Sequence, residues 1–199
     1  MYTPNNFIEN DKNRIISLAN EYAFATLVTV KEGVPFSSHL PLMIEGNKTF
    51  TILGHMAKSN EQWEHFQSGN DVLVIYQGPH AYISPSNYEE PGVPTWNYSA
   101  VHMYGKATLI SEEQEVRNLI ESLSHKYEKY QNKPWTPKYP DKIIDAIVGF
   151  RIKVDRIEAK SKLSQNKPKG DRVNIITNLR SSGSEGAIGV AKLMEENEL

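Results

Sequence analysis

The stretch Gly78 to Gly105, GPHAYISPSNYEEPGVPTWNYSAVHMYG, governs how the rest of the chain is read. His80-Ala81-Tyr82-Ile83 predicts a short strand and Ala100 to Ile110 a second. Between them lie Ser84-Pro85-Ser86-Asn87-Tyr88, an acidic turn Glu89-Glu90-Pro91-Gly92, and Val93-Pro94-Thr95-Trp96-Asn97-Tyr98. Proline and glycine restrict the backbone of this connection. Tyr82, Tyr88, Trp96, Tyr98 and Tyr104 crowd aromatic surface around it. Loops usually carry small polar residues, so a stiff aromatic connection reads as a preformed site for a flat ligand or an interface. The competing reading is a long hairpin loop folded over its own core, with Trp96 as a plug.

Upstream, Asn10-Asp11 predicts the cap of a helix over Lys12 to Tyr22. Ala23 to Val30 reads as a buried strand. Val34 to Ile44 reads as a strand that Pro41 confines to an edge or a bulge. Glu45-Gly46-Asn47-Lys48 is a hairpin signal, and Thr49 to Leu53 a third strand. Gly54-His55-Met56-Ala57-Lys58-Ser59-Asn60 follows. Ser59 and Gln62 have capping-box spacing, which predicts a helix starting at Ser59. Lys58, the Ser59 hydroxyl and the free N–H groups of that start form a candidate anion cradle, with His55 and Asn60 nearby. An ordinary cap beside a solvated lysine is the plainer alternative.

Asp71 to Gln77 reads as a strand. Ser111 and Gln114 predict a second capping box, opening a helix that runs to about Tyr130. Lys142 to Ile147 reads as a short helix, and Val148 to Ile157 as a half-buried strand. From Lys160 to Arg172 there are five basic residues, Lys160, Lys162, Lys167, Lys169 and Arg172, against one acid, Asp171. This run is a candidate phosphate contact, for a cofactor or for weak DNA binding, or else a solvated loop. Residues 1–180 are expected to form one domain. Residues 181–199 are expected to be a linker followed by a helix over Ala187 to Glu198. Several strands with few helices between them predict an α+β fold built on a closed antiparallel sheet.

Composition removes several chemistries. The 199 residues contain no cysteine, which excludes disulfides, thiolate zinc sites and thiol catalysis. His39, His55, His65, His80, His102 and His125 are scattered without a compact metal signature. There is no nucleophile elbow, phosphate loop or dinucleotide fingerprint. The net charge of −2 gives no global field for nucleic acid. No apolar run is long enough to cross a bilayer, and Met1 to Arg14 lacks the pattern of a signal peptide, so a cytoplasmic location is expected.

The motifs carry the reading further. Met1-Tyr2-x-Pro4 with Phe7, His39-Leu40-Pro41, the segment from Gly54 to Asn60, Gly78 to Pro85, Val93-Pro94-Thr95-Trp96-Asn97-Tyr98, Val101-His102, and Lys160-x-Lys162-Leu163-Ser164-Gln165-Asn166 occur in order along nearly the whole chain. In these the sequence resembles the PaiB family of FMN-binding negative transcriptional regulators. The resemblance implies a split β-barrel with peripheral helices, like the flavin reductases and pyridoxamine-phosphate oxidases. It also implies a homodimer with FMN at its interface. On that resemblance the cofactor residues are His39, His55, Lys58, Ser59, Asn60, Ser84, Tyr88, Thr95, Trp96, Asn97, Tyr98, Lys160, Lys162 and Gln165. Lys58 stands where arginine is frequent, which keeps the charge but loses the bidentate fork. Three functions follow: an FMN-binding regulator, an FMN-dependent oxidoreductase or oxidase, or a haem- or metabolite-binding module. For haem, His39, His55 or His102 would be the axial ligand.

Overall fold

The structure of the protein is a computed structural model, of which residues 1–197 are described. Its helices are α1 (Lys12–Glu21), α2 (Glu113–Glu128), α3 (Asp141–Asp145), α4 (Lys169–Ser181) and α5 (Glu185–Glu196). Its strands are β1 (Phe24–Lys31), β2 (Val34–Pro41), β3 (Met43–Glu45), β4 (Thr51–Ala57), β5 (Asp71–Ile83), β6 (Thr95–Ile110) and β7 (Ile147–Lys162). They form a seven-stranded sheet in the order β2-β1-β5-β6-β7-β4-β3. The paired strands β1/β2, β1/β5, β3/β4 and β4/β7 are antiparallel. The chain divides into two compact units. The first comprises residues 20–76 and 103–157, and the second 1–19, 77–102 and the residues from 158 on.

Four strands run further than the sequence patterns suggest. Asp71 to Gln77 and His80 to Ile83 are one continuous strand, β5. Gly78 is where its backbone comes close to Ser99, whose carbonyl oxygen would lie 3.2 Å from an added Cβ. A glycine inside a strand pattern marks such a close approach as readily as a turn. Likewise β4 continues past Leu53 to Ala57, because Gly54 lies against Leu42 and Phe150, where a side chain would collide with both. β6 begins at Thr95, not Ala100, and β7 runs to Lys162, not Ile157. The expected strand from Val34 to Ile44 is instead two. β2 ends at Pro41, and the buried Leu42 donates its N–H to Ala23 O at 2.9 Å. Pro41 therefore lies on a terminal strand of the sheet order, as its missing N–H requires.

In the first unit, Ala25, Leu27, Ile52, Met56, Val74, Tyr76, Met103, Phe150 and Ile152 are buried. β2 comes against β4, so the two ends of the strand order approach one another within this unit. α2 buries Val116, Leu119, Ile120 and Leu123 with Ile110 and Ile144, against Met43, Leu53 and Ile147. Each such side chain contributes roughly 1.5–3 kcal/mol on burial, as an upper estimate. The expected cap at Ser111 is absent. Glu112 holds the cap position without a side-chain cap bond, and Gln114 Nε2 donates to Asn118 Oδ1 at 2.9 Å instead.

In the second unit, α1 is capped as expected, with Asp11 Oδ1 accepting from the N–H groups of Asn13 and Arg14 at 2.8 and 3.2 Å. α4 and α5 pack on each other and on β5. Ile175, Leu179, Ala187, Val190, Ala191 and Met194 are buried with Ala81, Ile83 and Leu163. The final helix expected to reach Glu198 runs from Glu185 to Glu196, and position 198 lies outside the described residues.

Candidate functional site

In the first unit, the segment after β4 is built differently from a capping box. The cap is Asn60, not Ser59. Asn60 Oδ1 accepts from Gln62 N at 3.1 Å, and a 3₁₀ turn, not an α-helix, spans Glu61–Ser68. Gln62 does not reach back to Ser59. It is fully buried, and its Nε2 donates to Leu27 O at 3.0 Å, Thr29 Oγ1 at 3.1 Å and Phe36 O at 3.3 Å. Sequence spacing cannot tell a glutamine that folds onto the backbone from one that reaches into the sheet.

This arrangement brings β2 to the turn. Asn60 Nδ2 donates to Ser38 Oγ at 2.9 Å. Lys58 and Ser59 are exposed beside it, and Lys58 N is anchored on Ala146 O at 2.8 Å. One flexible cation and two hydroxyls thus stand around Asn60. Ser38 is the member that sequence reasoning missed, and no motif at that position signals it. Glu61 and Glu64 occupy the first turn, where they already complement the partial positive charge of the N–H groups.

The histidines stand elsewhere. Register pairs Thr26 with His39 and Phe24 with Pro41, while Ser38 pairs with Leu27. Residues that alternate along a strand face opposite ways, so His39 lies on the outer face with Phe24, away from Ser38. Its ring stacks on Phe24 at 6.3 Å between centroids. His55 shares the Leu53 face of β4, against which the α2–α3 cluster packs. Its Nδ1 is buried without a hydrogen-bond partner, and burial lowers its pKa below the usual 6.5. Among the described residues, no group of three or more His, Cys, Asp or Glu side chains could hold a metal ion.

In the second unit, the aromatic connection is largely strand. Thr95 to Tyr98 open β6, and their side chains alternate. Trp96 is 53% exposed, which removes the reading of it as a core plug. Tyr82 and His80 flank it, each with a ring centroid 6.0 Å away. Asn97 faces the opposite way and is completely buried, donating to Ser164 Oγ at 2.9 Å. It does not present its amide to the face that Trp96 occupies. Ser84 caps the short turn Pro85–Asn87 by accepting from Ser86 N and Ser86 Oγ. Tyr88 packs on the α4–α5 core, with Lys167 Nζ 4.0 Å above its ring. Burial raises its pKa, as do Asp171 and Tyr82. The turn is tied to α4 by Glu89 N, which donates to Asp171 Oδ1 at 2.9 Å, and by Asn178 Nδ2, which donates to Asn87 Oδ1.

The basic run divides in the same unit. Lys160 and Lys162 are the end of β7 and not part of a loop. Lys160 is only 7% exposed, and its Nζ donates to Tyr2 O at 3.2 Å. Lys162 Nζ donates to Thr95 Oγ1, and to Trp96 O at 2.7 Å. Gln165 is spent on its own turn. Its Oε1 accepts from Leu163 N at 2.8 Å, and its Nε2 donates to Ser161 O.

Comparison with known proteins agrees with this architecture. Two solved structures superimpose on it. The FAD and heme binding protein from Mycobacterium smegmatis has a TM-score of 0.64 at 13% identity, over 83% of this chain and 78% of that one. The flavocytochrome Anf3 from Azotobacter vinelandii has a TM-score of 0.62 at 17% identity, over 77% and 68%. The fold is of the split β-barrel class, with an antiparallel seven-stranded sheet and helices around it. Residues 1–156 match the family described as "Putative FMN-binding domain". The Bacillus subtilis protein named "Protease synthase and sporulation protein PAI 2" is 42% identical over 202 residues, covering 98% of this chain and 97% of that one. The chain belongs to the PaiB family of FMN-binding-domain proteins.

Proposed function

We propose that the protein binds FMN, with the phosphate held in the first unit by Lys58, Ser59 and Ser38 around Asn60. The observation that carries this is the Asn60–Ser38 hydrogen bond, which draws a second hydroxyl to the exposed Lys58-Ser59 pair. The donors fit a phosphate monoester: an ammonium, two hydroxyls and the N–H groups of a turn. Because Glu61 and Glu64 already occupy the first turn, Lys58 carries most of the positive charge offered. When bound, the flavin would supply redox chemistry that this set of residues does not provide by itself. In the second unit, the exposed faces of Trp96 and Tyr82 suit stacking on a flat ring, with Thr95 beside them.

The proposal includes a homodimer. The outer face of the β1–β2 pair carries Phe24, Val28, Val30, Pro35 and Pro41, with Phe24 70% exposed. A second copy would cover this apolar face. It also includes the negative regulatory role that the family resemblance implies. Direct DNA contact would then fall on Lys167, Lys169 and Arg172, since Lys160 is buried and Lys162 is held by β6.

The purified protein's visible spectrum, followed by titration with FMN, tests the reading. A flavin band, and binding weakened by about 1–3 kcal/mol in Lys58→Ala, are expected. A haem Soret band, or unchanged FMN affinity in the variant, would overturn it.

A further inference from the structure

Buried cations are normally paired with anions, because an ammonium loses its hydration on burial and needs compensation. Lys160 and Lys162 in the second unit break that rule. They lie two positions apart on β7, one buried and the other partly buried. No carboxylate among the described residues forms an ion pair with either. The acid two positions earlier, Glu158, is paired with the Met1 ammonium. The groups in contact with the two ammonium nitrogens are neutral. Lys160 Nζ lies 5.7 Å from the Tyr2 ring centroid and 5.1 Å from that of Tyr98, and Lys162 Nζ lies 5.8 Å from that of Phe7. Ring faces attract a cation but leave its charge in place. Burial and the charge of Lys160 both lower the Lys162 pKa, as expected of a group short of negative neighbours.

Each ammonium has three N–H donors. Lys160 uses one on Tyr2 O, and Lys162 uses two on Thr95 Oγ1 and Trp96 O. Few donors remain, and all are on side-chain nitrogen. That suits the two oxygens of a carboxylate better than the three of a phosphate, whose sites recruit backbone N–H groups. Open aromatic surface adjoins the pair, since the Tyr2 ring beside Lys160 Nζ belongs to a residue that is 85% exposed.

We propose that Lys160 and Lys162 form an anion site for a small molecule that carries a carboxylate on a planar, conjugated body. The carboxylate takes the free ammonium donors, and the ring lies against Tyr2. The site is independent of the Lys58 phosphate site and goes beyond FMN binding. Its ligand class is that of an aromatic or conjugated acid.

Thermal unfolding with sodium benzoate as the probe tests this, using sodium phosphate and sodium chloride at equal ionic strength as comparisons. The wild-type midpoint is expected to rise with benzoate concentration as mass action requires, and to exceed the rise in either other salt. Lys162→Met is expected to lose the benzoate-specific rise. Its ligand-free midpoint should equal or exceed the wild-type one, because an uncompensated charge has been removed. Lys162→Arg should keep the rise, and so should Lys58→Ala, which separates this site from the phosphate site. No benzoate-specific rise in the wild type, or an equal rise in Lys162→Met, overturns the proposal. A rise for phosphate alone that is lost in Lys162→Met overturns the carboxylate assignment. Should Lys162→Met unfold at lower temperature without ligand, the lysine is structural and the proposal fails.

Discussion

Asn97 and Ser164 hold each other inside the second unit. Asn97 Nδ2 donates to Ser164 Oγ at 2.9 Å, and Ser164 Oγ donates back to Asn97 Oδ1 at 3.2 Å. Ser164 has φ +61°, a left-handed conformation that a non-glycine residue holds only where its surroundings enforce it. The pair therefore fixes the turn between β7 and α4, including the backbone just after Lys162. Asn97→Ala should lower stability by about 1–3 kcal/mol, because Ser164 is left buried with an unmade hydrogen bond. Urea unfolding monitored by circular dichroism measures this. A loss below about 0.5 kcal/mol would mean that the pair does not hold the turn.

Gln62 plays a similar part in the first unit. It joins the start of the 3₁₀ turn to β1 and β2 through three hydrogen bonds. Gln62→Ala leaves a cavity and removes the buried donor, so the expected loss is on the order of 2–4 kcal/mol. Ser59→Ala should cost little, since Ser59 does not cap. Comparable losses in the two variants would restore the capping box that the sequence spacing suggests.

These cases mark what was legible in the sequence. Apolar, β-branched and alternating runs located the sheet segments, with β3 merged into β2, and the turn chemistry of Asp11 located α1. Three of the misplaced boundaries, in β4, β5 and β6, share one cause. Gly54, Gly78 and Pro94 punctuate the sequence like turns, but two of the three lie inside strands where neighbouring backbone or rings come too close for a side chain. The candidate site was half legible. Lys58, Ser59 and Asn60 were found by their chemistry. Ser38 was not, because its role depends on β2 meeting the turn, which is a long-range contact. Asn97 and Gln165 make hydrogen bonds within the protein, which the sequence does not show, because a polar side chain carries no mark of whether it serves a ligand or its own chain.

Acid should destabilise the protein through His55. Burial holds its folded pKa below the usual value of 6.5, so the unfolded chain takes up a proton first as pH falls. Stability is then complete above about pH 7.5 and declines as pH drops through 6.5 towards the lowered folded value. His102, whose pKa is lowered by burial and by the N-terminal ammonium and raised by Glu158, adds in the same direction. His55→Gln should flatten the dependence of the unfolding midpoint between pH 7.5 and 5.5. An equally steep profile in the variant would assign the effect to other groups.

The outer β1–β2 face should control assembly. Phe24→Asp places a charge on a position of that face that is 70% exposed. Sedimentation at micromolar concentration is expected to give a dimer for the wild type and a monomer for the variant, with unfolding midpoints that differ little at matched association state. A dimeric Phe24→Asp protein would move the interface elsewhere.

Trp96 offers the cleanest separation of ligand binding from folding. Its ring is 53% exposed and rests against Tyr82 and His80, not in either apolar core. An exposed side chain contributes little to stability, so Trp96→Leu should change the unfolding free energy of the unliganded protein by no more than about 0.5 kcal/mol. A buried tryptophan cut back to leucine would cost several times that. If the exposed face stacks on flavin, the same variant should bind FMN more weakly and should relieve the quenching that a stacked indole imposes on flavin fluorescence. Loss of an offset-stacked aromatic partner accounts for roughly 0.5–1.5 kcal/mol beyond area, which is up to about tenfold in affinity. Both quantities come from one preparation: a chemical denaturation curve without ligand, and a fluorescence titration with FMN. Unchanged FMN affinity and emission would take Trp96 out of the binding face.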